Sequence, residues 1–392
     1  MKYSTPNMTD AGNRTKNLFA IGSVLEHFEQ LEDLRKRRGR RYALAVILTL
    51  VLLAKLSGET SLRGTAQWLH LRRKALCRLL GLQRQTMPHQ TTIARILGQA
   101  VAAEALEKKL GQLVSGELTP GTVVNLDGKS LRSTYRMHGV ERVHLLAAYV
   151  AGQGLVLMQV AVDCKENEIV AAPRLLEMLD IDGCVITGDA LHAQHKLARQ
   201  ICQAGGDYLL TVKENQSLTL TALKKLFAIP EMRPGFHQAT LDLRRHKHVN
   251  SGHGRLEIRE LTASTALNDY LAWPGLAQVF KVERKRINTV TGEISHETAY
   301  GITSLSPEEA DIEQLNDYVR QHWRIENELH YSRDVSLGED ACRVRTGHAP
   351  QVMAALNNLV IAISKRAGFR YVPDATRHFA ADLAGTVALL TQ

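Results

Sequence analysis

From residue 24 to about 112 the apolar positions recur every three or four residues, and from residue 119 they gather into short β-rich runs. The first pattern predicts helices and the second predicts strands alternating with helices. Within the helical stretch, Ala43 to Ala54 (ALAVILTLVLLA) is apolar on every side, which predicts a buried helix; at 12 residues it falls short of the roughly 20 needed to cross a bilayer. SLRGTAQWL (61–69) and RRKALCRLLGL (72–82) predict two short amphipathic helices, with Trp68 assigned to their core. A third, HQTTIARIL, follows Pro88 and is expected to be capped by Thr91 or Thr92. The polar residues 1–20 read as a disordered lead-in and residues 21–112 as one helical region.

The strand-like half begins with GTVVNL (121–126), which ends on Asp127, Gly128 and Lys129. Residues 143–150 and 155–162 predict a hairpin turning at Ala151–Gly154. A helix over 168–179 is expected to carry Pro173 in its first turn. CVIT (184–187) then delivers Gly188-Asp189-Ala190, followed by a helix over 192–204, a strand over 208–212 and a turn at Lys213–Gln216. The order is βββαβαβ, with right-handed crossovers. Should the first and fourth strands lie parallel and adjacent, Asp127 and Asp189 come together. An Asp ending an apolar strand ordinarily caps the next turn. Two of them, each beside a glycine, point instead to an acidic site, where a divalent oxygen-loving cation such as Mg²⁺ or Mn²⁺ offsets the like charges.

Residues 318–334 (YVRQHWRIENELHYSRD) contain no Gly or Pro and predict a single helix. At a spacing of four, His322, Glu326 and His330 share a face that Arg333 completes. That face reads as a zinc site, as a metal-binding carboxylate among basic neighbours or, the ordinary case for such a helix, as a solvated ion-pair surface.

Charge adds a direction. The net charge is +9, yet residues 1–100 hold 17 Lys and Arg against 6 Asp and Glu, so the remainder is slightly acidic. RKRRGRR (35–41) concentrates Arg37, Arg38, Arg40 and Arg41 against the apolar helix, and Arg63, Arg72, Arg73, Lys74, Arg78, Arg84 and Arg95 follow on the short helices. A basic helical front end of this kind fits a helix-turn-helix-like binder of DNA phosphates. The five cysteines are scattered, without the spacing of a zinc knuckle or redox pair. With no signal-peptide core and no span, a soluble, cytoplasmic protein is expected, with no membrane partner.

Three blocks, NLDGKSLRST, GDALHAQHKLARQICQAGGDYLLTVKENQ and QHWRIENELHYSRDVSLGEDACRVR, together with LEDLRKRRGRRYALAVILTLVLLAKLSGETSLRGTAQW, resemble the DDE transposases of bacterial insertion sequences. They are most similar to the ISAs-type, H-repeat-associated group, over about residues 28–368. The resemblance implies an α/β, RNase H-like mixed sheet with an all-helical N-terminal DNA-binding region. It implies a catalytic and metal-binding triad of Asp127, Asp189 and Glu326, and a pair of Mg²⁺ or Mn²⁺ ions for phosphodiester hydrolysis and transesterification. Double-stranded DNA, as transposon ends and target, is the implied partner; a homodimer or higher assembly forms on it, nucleoid-associated when bound. Related transposases outside the group carry Tyr, Arg and Lys where this chain has Val319, His322 and Arg333, so only basic character survives at the last two.

Asp189 and Glu326 are 137 residues apart, too far for one crossover. A β-rich insert is therefore expected over 217–305, between a first catalytic part (119–216) and a second (306–372), with 373–392 as a C-terminal tail. Its strands read as 253–261, 278–287 and 297–305, with a hairpin at Thr291-Gly292. Arg244, Arg245, His246, Lys247, His248, Lys281, Arg284, Lys285 and Arg286 of this insert could follow a DNA backbone. Trp273 reads either as a filler of the insert's core or as a platform for an unpaired base. Lys129, His192, Asn215, His322 and Arg333 are candidates for holding DNA phosphates or supporting the triad. Three other functions compete with a transposase: an RNase H-like nuclease that does not join strands, a non-catalytic DNA-binding descendant, and a zinc hydrolase built on His322 and His330.

Overall fold

The computed structural model describes residues 23–38, 40–114, 118–131, 143–162, 166–228, 242–252 and 254–391. The lead-in over 1–20 lies outside them. The architecture is mixed α/β with a large mixed sheet. The chain divides into two units, Met1–Glu117 with Gly128–Asn167 and Arg324–Gln392, and Leu118–Asp127 with Glu168–Trp323.

In the first unit, α1 (Val24–Glu29) opens with a reciprocal cap between Ser23 and Glu26. The apolar run forms α2 (Leu44–Leu56), in which every residue but Val46 is buried. No helix among the described residues is long and apolar enough to cross a membrane. Next come α3 (Leu62–Leu71), α4 (Arg73–Leu79), α5 (Gln90–Gln99) and α6 (Ala103–Val114). The α5 cap differs from the sequence expectation. The His89 imidazole accepts from the Thr91 N–H, because the helix starts at Gln90, two residues earlier than a Thr91 cap would allow. Trp68 is buried, as expected, with the Arg72 guanidinium 4.8 Å from its ring centre.

β2 (His144–Val150) and β3 (Leu155–Val162) pair antiparallel, with glycines 152 and 154 in the turn at φ 80 and 71. α11 (Ala349–Arg366) packs against β3 and α6. Of residues 373–392, which the sequence leaves as a tail, 373–381 and 383–391 lie in two helices, α12 (Val372–Ala381) and α13 (Leu383–Thr391), whose Val372, Phe379, Val387 and Leu390 are buried.

A connected polar chain runs through this unit. Lys55 Nζ donates to Asn357 Oδ1 at 2.6 Å, and Asn357 Nδ2 donates to Glu339 Oε2 at 2.9 Å. The Arg333 guanidinium meets Glu339 at 2.8 Å and donates to Gln159 at 2.8 Å, while Gln159 donates to Glu107 at 2.9 Å. Burial alone would penalise each charge, and mutual pairing is what permits them inside.

In the second unit the strands lie in the order β1-β4-β5-β9-β8-β7-β6. They are β1 (Val123–Ser130), β4 (Val185–Gly188), β5 (Asp207–Val212), β6 (Arg244–Gly252), β7 (Arg255–Ser264), β8 (Gln278–Asn288) and β9 (Ile294–Thr303). β1, β4 and β5 run parallel; β9 joins β5 antiparallel, so the strands of the β-rich stretch extend the same sheet. α7 (Glu168–Leu176), α8 (His195–Gln203) and α9 (Ser217–Phe227) provide the connections. Pro173 sits inside α7, not in its first turn as expected. As the sixth of nine helical residues it removes one intrahelical bond, and turn bonds from Glu177 and Met178 finish the segment short of 179. α10 (Ile312–His322), capped by Asp311 and Gln314, buries Leu315 and Val319 in a core with Val123, Val185 and Leu209.

Candidate active site

Parallel pairing of β1 with β4 sets the register Asn125↔Thr187 and Leu126↔Gly188. Asp127 and Asp189 are therefore the next residues on two adjacent strands. β1 continues through Asp127 to Ser130, past Leu126, where the sequence placed its end. Asp189 caps a short 3-10 turn, accepting the Leu191 N–H at 2.9 Å through Oδ1. Asp127 is half-buried and Asp189 exposed.

Two residues earlier on each strand, and by the twofold strand period on the same face, stand buried Asn125 and Thr187. Asn125 Nδ2 donates to the Gln321 carbonyl at 2.8 Å. Its Oδ1 accepts the Thr187 hydroxyl at 2.7 Å, and Thr187 Oγ1 lies 3.1 Å from His322 Nδ1. Because the single threonine proton goes to Asn125, His322 must donate from Nδ1, and its Nε2 is left as an acceptor. Burial pushes the His322 pKa down to about 4, with Asp189 opposing and His192 reinforcing the shift. His322 is thus neutral at pH 7, and the basic character expected of it is not expressed. The sequence reading missed Asn125 and Thr187; their signal was a polar residue inside each of two otherwise apolar runs.

The other candidates fall into distinct settings. His192 is buried, with Nε2 3.2 Å from a Glu168 carboxylate oxygen. Asn215 donates to the Ala190 carbonyl at 2.6 Å and Gln216 to that of Ala193 at 2.9 Å, so this turn braces the one behind Asp189. Trp273 is buried, stacked on His195 at 4.0 Å between ring centres, and donates to Thr219 at 3.0 Å. Lys129 is paired with Asp334 at 2.6 Å. Arg37, Arg38, Arg40 and Arg41 are exposed, with Arg40 also 3.5 Å from Asp33.

The helix predicted over 318–334 is not continuous. α10 stops at His322, and Ile325–His330 and Ser332–Ser336 follow as π-helical turns. Bonding to the fifth residue widens each turn, which carries Glu326 and Arg333, seven positions apart, onto different faces. Glu326 is exposed while Arg333 is fully buried against Glu339. Glu328, also in this segment, is held by Arg324 at 2.7 Å and Tyr149 at 2.9 Å. His330, like His322, is driven far down the pH scale, to about 3, by burial and the nearby Arg333 and Lys129.

Three carboxylates suit a hard divalent cation by donor chemistry. Among the described residues no three His, Cys, Asp or Glu side chains are grouped to hold a metal ion, and this applies to the three carboxylates as it does to His322 and His330.

Residues 119–363 match the family described as Transposase DDE domain, and residues 25–114 match its DDE_Tnp_1-associated companion. The chain belongs to the DDE transposase family. Its relatives include the protein named "H repeat-associated putative transposase YhhI" of Escherichia coli (strain K12), 28% identical over 88% of this chain and 90% of that one. The H repeat-associated YbfD of the same organism is 30% identical over 61% of this chain and 92% of its own length. These matches identify an insertion-sequence DDE transposase of the H-repeat group. Among solved structures, a piggyBac transposase in a synaptic complex with hairpin DNA covers 97% of this chain and 81% of that one at 10% identity and a TM-score of 0.44.

Proposed function

We propose that this DDE transposase binds the ends of its insertion sequence and catalyses metal-dependent DNA cleavage and strand transfer, with Asp127, Asp189 and Glu326 as the catalytic carboxylates. The observation that carries the reading is the Leu126↔Gly188 register, which starts both aspartates from neighbouring parallel strands. The succession β1, β2, β3, α7, β4, α8, β5 supports an RNase H-like catalytic part interrupted by the β6–β9 stretch.

Mg²⁺ or Mn²⁺ held by the three carboxylates would supply Lewis acidity and a water of lowered pKa. The chain's own residues do the rest. Asn125 and Thr187 tie the end of α10 to the strands that carry the aspartates, and Asn215 steadies the turn behind Asp189. Glu326, exposed on its π-helical segment, would be the third carboxylate to hold the metal. The basic helical region carries transposon-end DNA, and two or more protomers pair two ends.

Asp127→Asn tests the reading. DNA binding should survive within about twofold while cleavage and joining of an end substrate are lost; a variant that still cleaves would refute the assignment. A non-catalytic DNA-binding descendant is the second reading, favoured by the lack of a grouped metal-ligand set among the described residues. Divalent-dependent cleavage by the wild-type chain would dismiss it, and joined product would separate a transposase from a nuclease that only cuts.

A further inference from the structure

Within the first unit, a cavity of about 550 Å³ opens between the start of α3, the start of α5 and the segment 338–349. Arg63, Arg343 and Arg345 line it and all three are exposed. No Asp or Glu is among its lining residues. Leu62, Gln90 and Ala349, the first residues of α3, α5 and α11, also line it. Three positive helix ends therefore meet three guanidiniums in one concavity, and these helices have 10, 10 and 18 residues.

The walls are built, not incidental. A Cβ on Gly98 would lie 2.8 Å from the Thr346 carbonyl oxygen, one on Gly347 would meet the Gly98 carbonyl, and His348 N–H donates to that carbonyl at 3.1 Å. This close backbone contact clamps the Arg343–Thr346 segment onto α5. On the opposite side Gly338, at φ 61, packs against Thr60. The floor is apolar, from Leu62, Ala94, Val344 and Ala349.

We propose that this cavity seats the sugar-phosphate backbone of transposon-end DNA. The inference rests on the transposase reading and joins Arg63, already a candidate from the sequence, to Arg343 and Arg345, which lie far from the basic N-terminal run. Separate arginines at the rim, with deoxyribose contact on an apolar floor, suit a polymer with repeated phosphates better than a single small anion.

The test is fluorescence anisotropy with a labelled duplex covering the DNA that flanks the gene, across a salt series, using the full chain. Each phosphate contact contributes about 0.9 to the slope of log affinity against log salt. Combined Arg63→Ala, Arg343→Ala and Arg345→Ala should lower that slope by about 2 to 3 and weaken binding at least about tenfold near 100 mM salt. The three Arg→Lys changes together should keep most of the slope. Arg377→Ala, which removes an exposed charge on α12 paired with Asp374, should leave it unchanged. If the triple alanine variant does not fold, Arg343→Gln and Arg345→Gln singly should each lower the slope by about 1. A folded variant with unchanged slope and affinity overturns the cavity assignment while leaving the transposase reading standing. Wild-type protein that binds no DNA at low salt overturns both.

Discussion

The Thr187 hydroxyl donates to Asn125 Oδ1 at 2.7 Å across the parallel strands that carry the two candidate catalytic aspartates. Because that proton is committed, the same oxygen must receive one from His322, and a single threonine sets the imidazole tautomer beside Asp189. Thr187→Val should strip both contacts while keeping the shape. It leaves Asn125 Oδ1 and His322 Nδ1 buried without this partner, at a cost of about 1–3 kcal/mol in urea unfolding. The His322 ring should also lose its fixed tautomer, read as a change in its ¹⁵N shifts by NMR. Unaltered ring shifts would contradict the assigned proton arrangement.

Trp273 gives a contrast between core and contact roles. Buried, stacked on His195 and bonded to Thr219, it belongs to the packing of the second unit. Trp273→Ala is expected to destabilise by about 3–5 kcal/mol. Measured below its melting temperature, the variant should retain wild-type affinity for single-stranded and duplex DNA. A folded variant with selectively weakened single-strand binding would restore the base-stacking role.

Glu107 introduces a pH dependence. Burial raises its pKa from 4.5 to about 8, against the pull of Arg333 and the Gln159 hydrogen bond. The folded protein therefore holds a proton that the unfolded chain releases. The associated stability is full below pH 4.5 and falls as pH climbs towards 8, by a few kcal/mol at the order-of-magnitude level. Thermal melts from pH 5 to 8.5 should show this decline in the wild type and a shallower one in Glu107→Gln. Parallel profiles would mean that Glu107 titrates normally.

The sequence by itself carried the local features that depend on neighbours along the chain. The apolar run at 43–54 could satisfy its side chains only in an interior, and α2 is buried there. The turn glycines at 152 and 154 marked the β2–β3 hairpin, and the blocks around Asp127, Asp189 and Glu326 carried the family resemblance. Tertiary structure decided what distance along the chain conceals. The face expected to join His322, Glu326, His330 and Arg333 assumed an unbroken α-helix, whereas the π-helical turns leave Glu326 in solvent and bury Arg333. Arg333 found Glu339 and Gln159, partners that make its burial tolerable and that no helical spacing reveals. The same holds for His322, whose basicity is suppressed by burial and whose tautomer depends on a strand far away in sequence. Periodicity reports which side of a local element is apolar; desolvation and long-range pairing decide which of its polar groups remain available for chemistry.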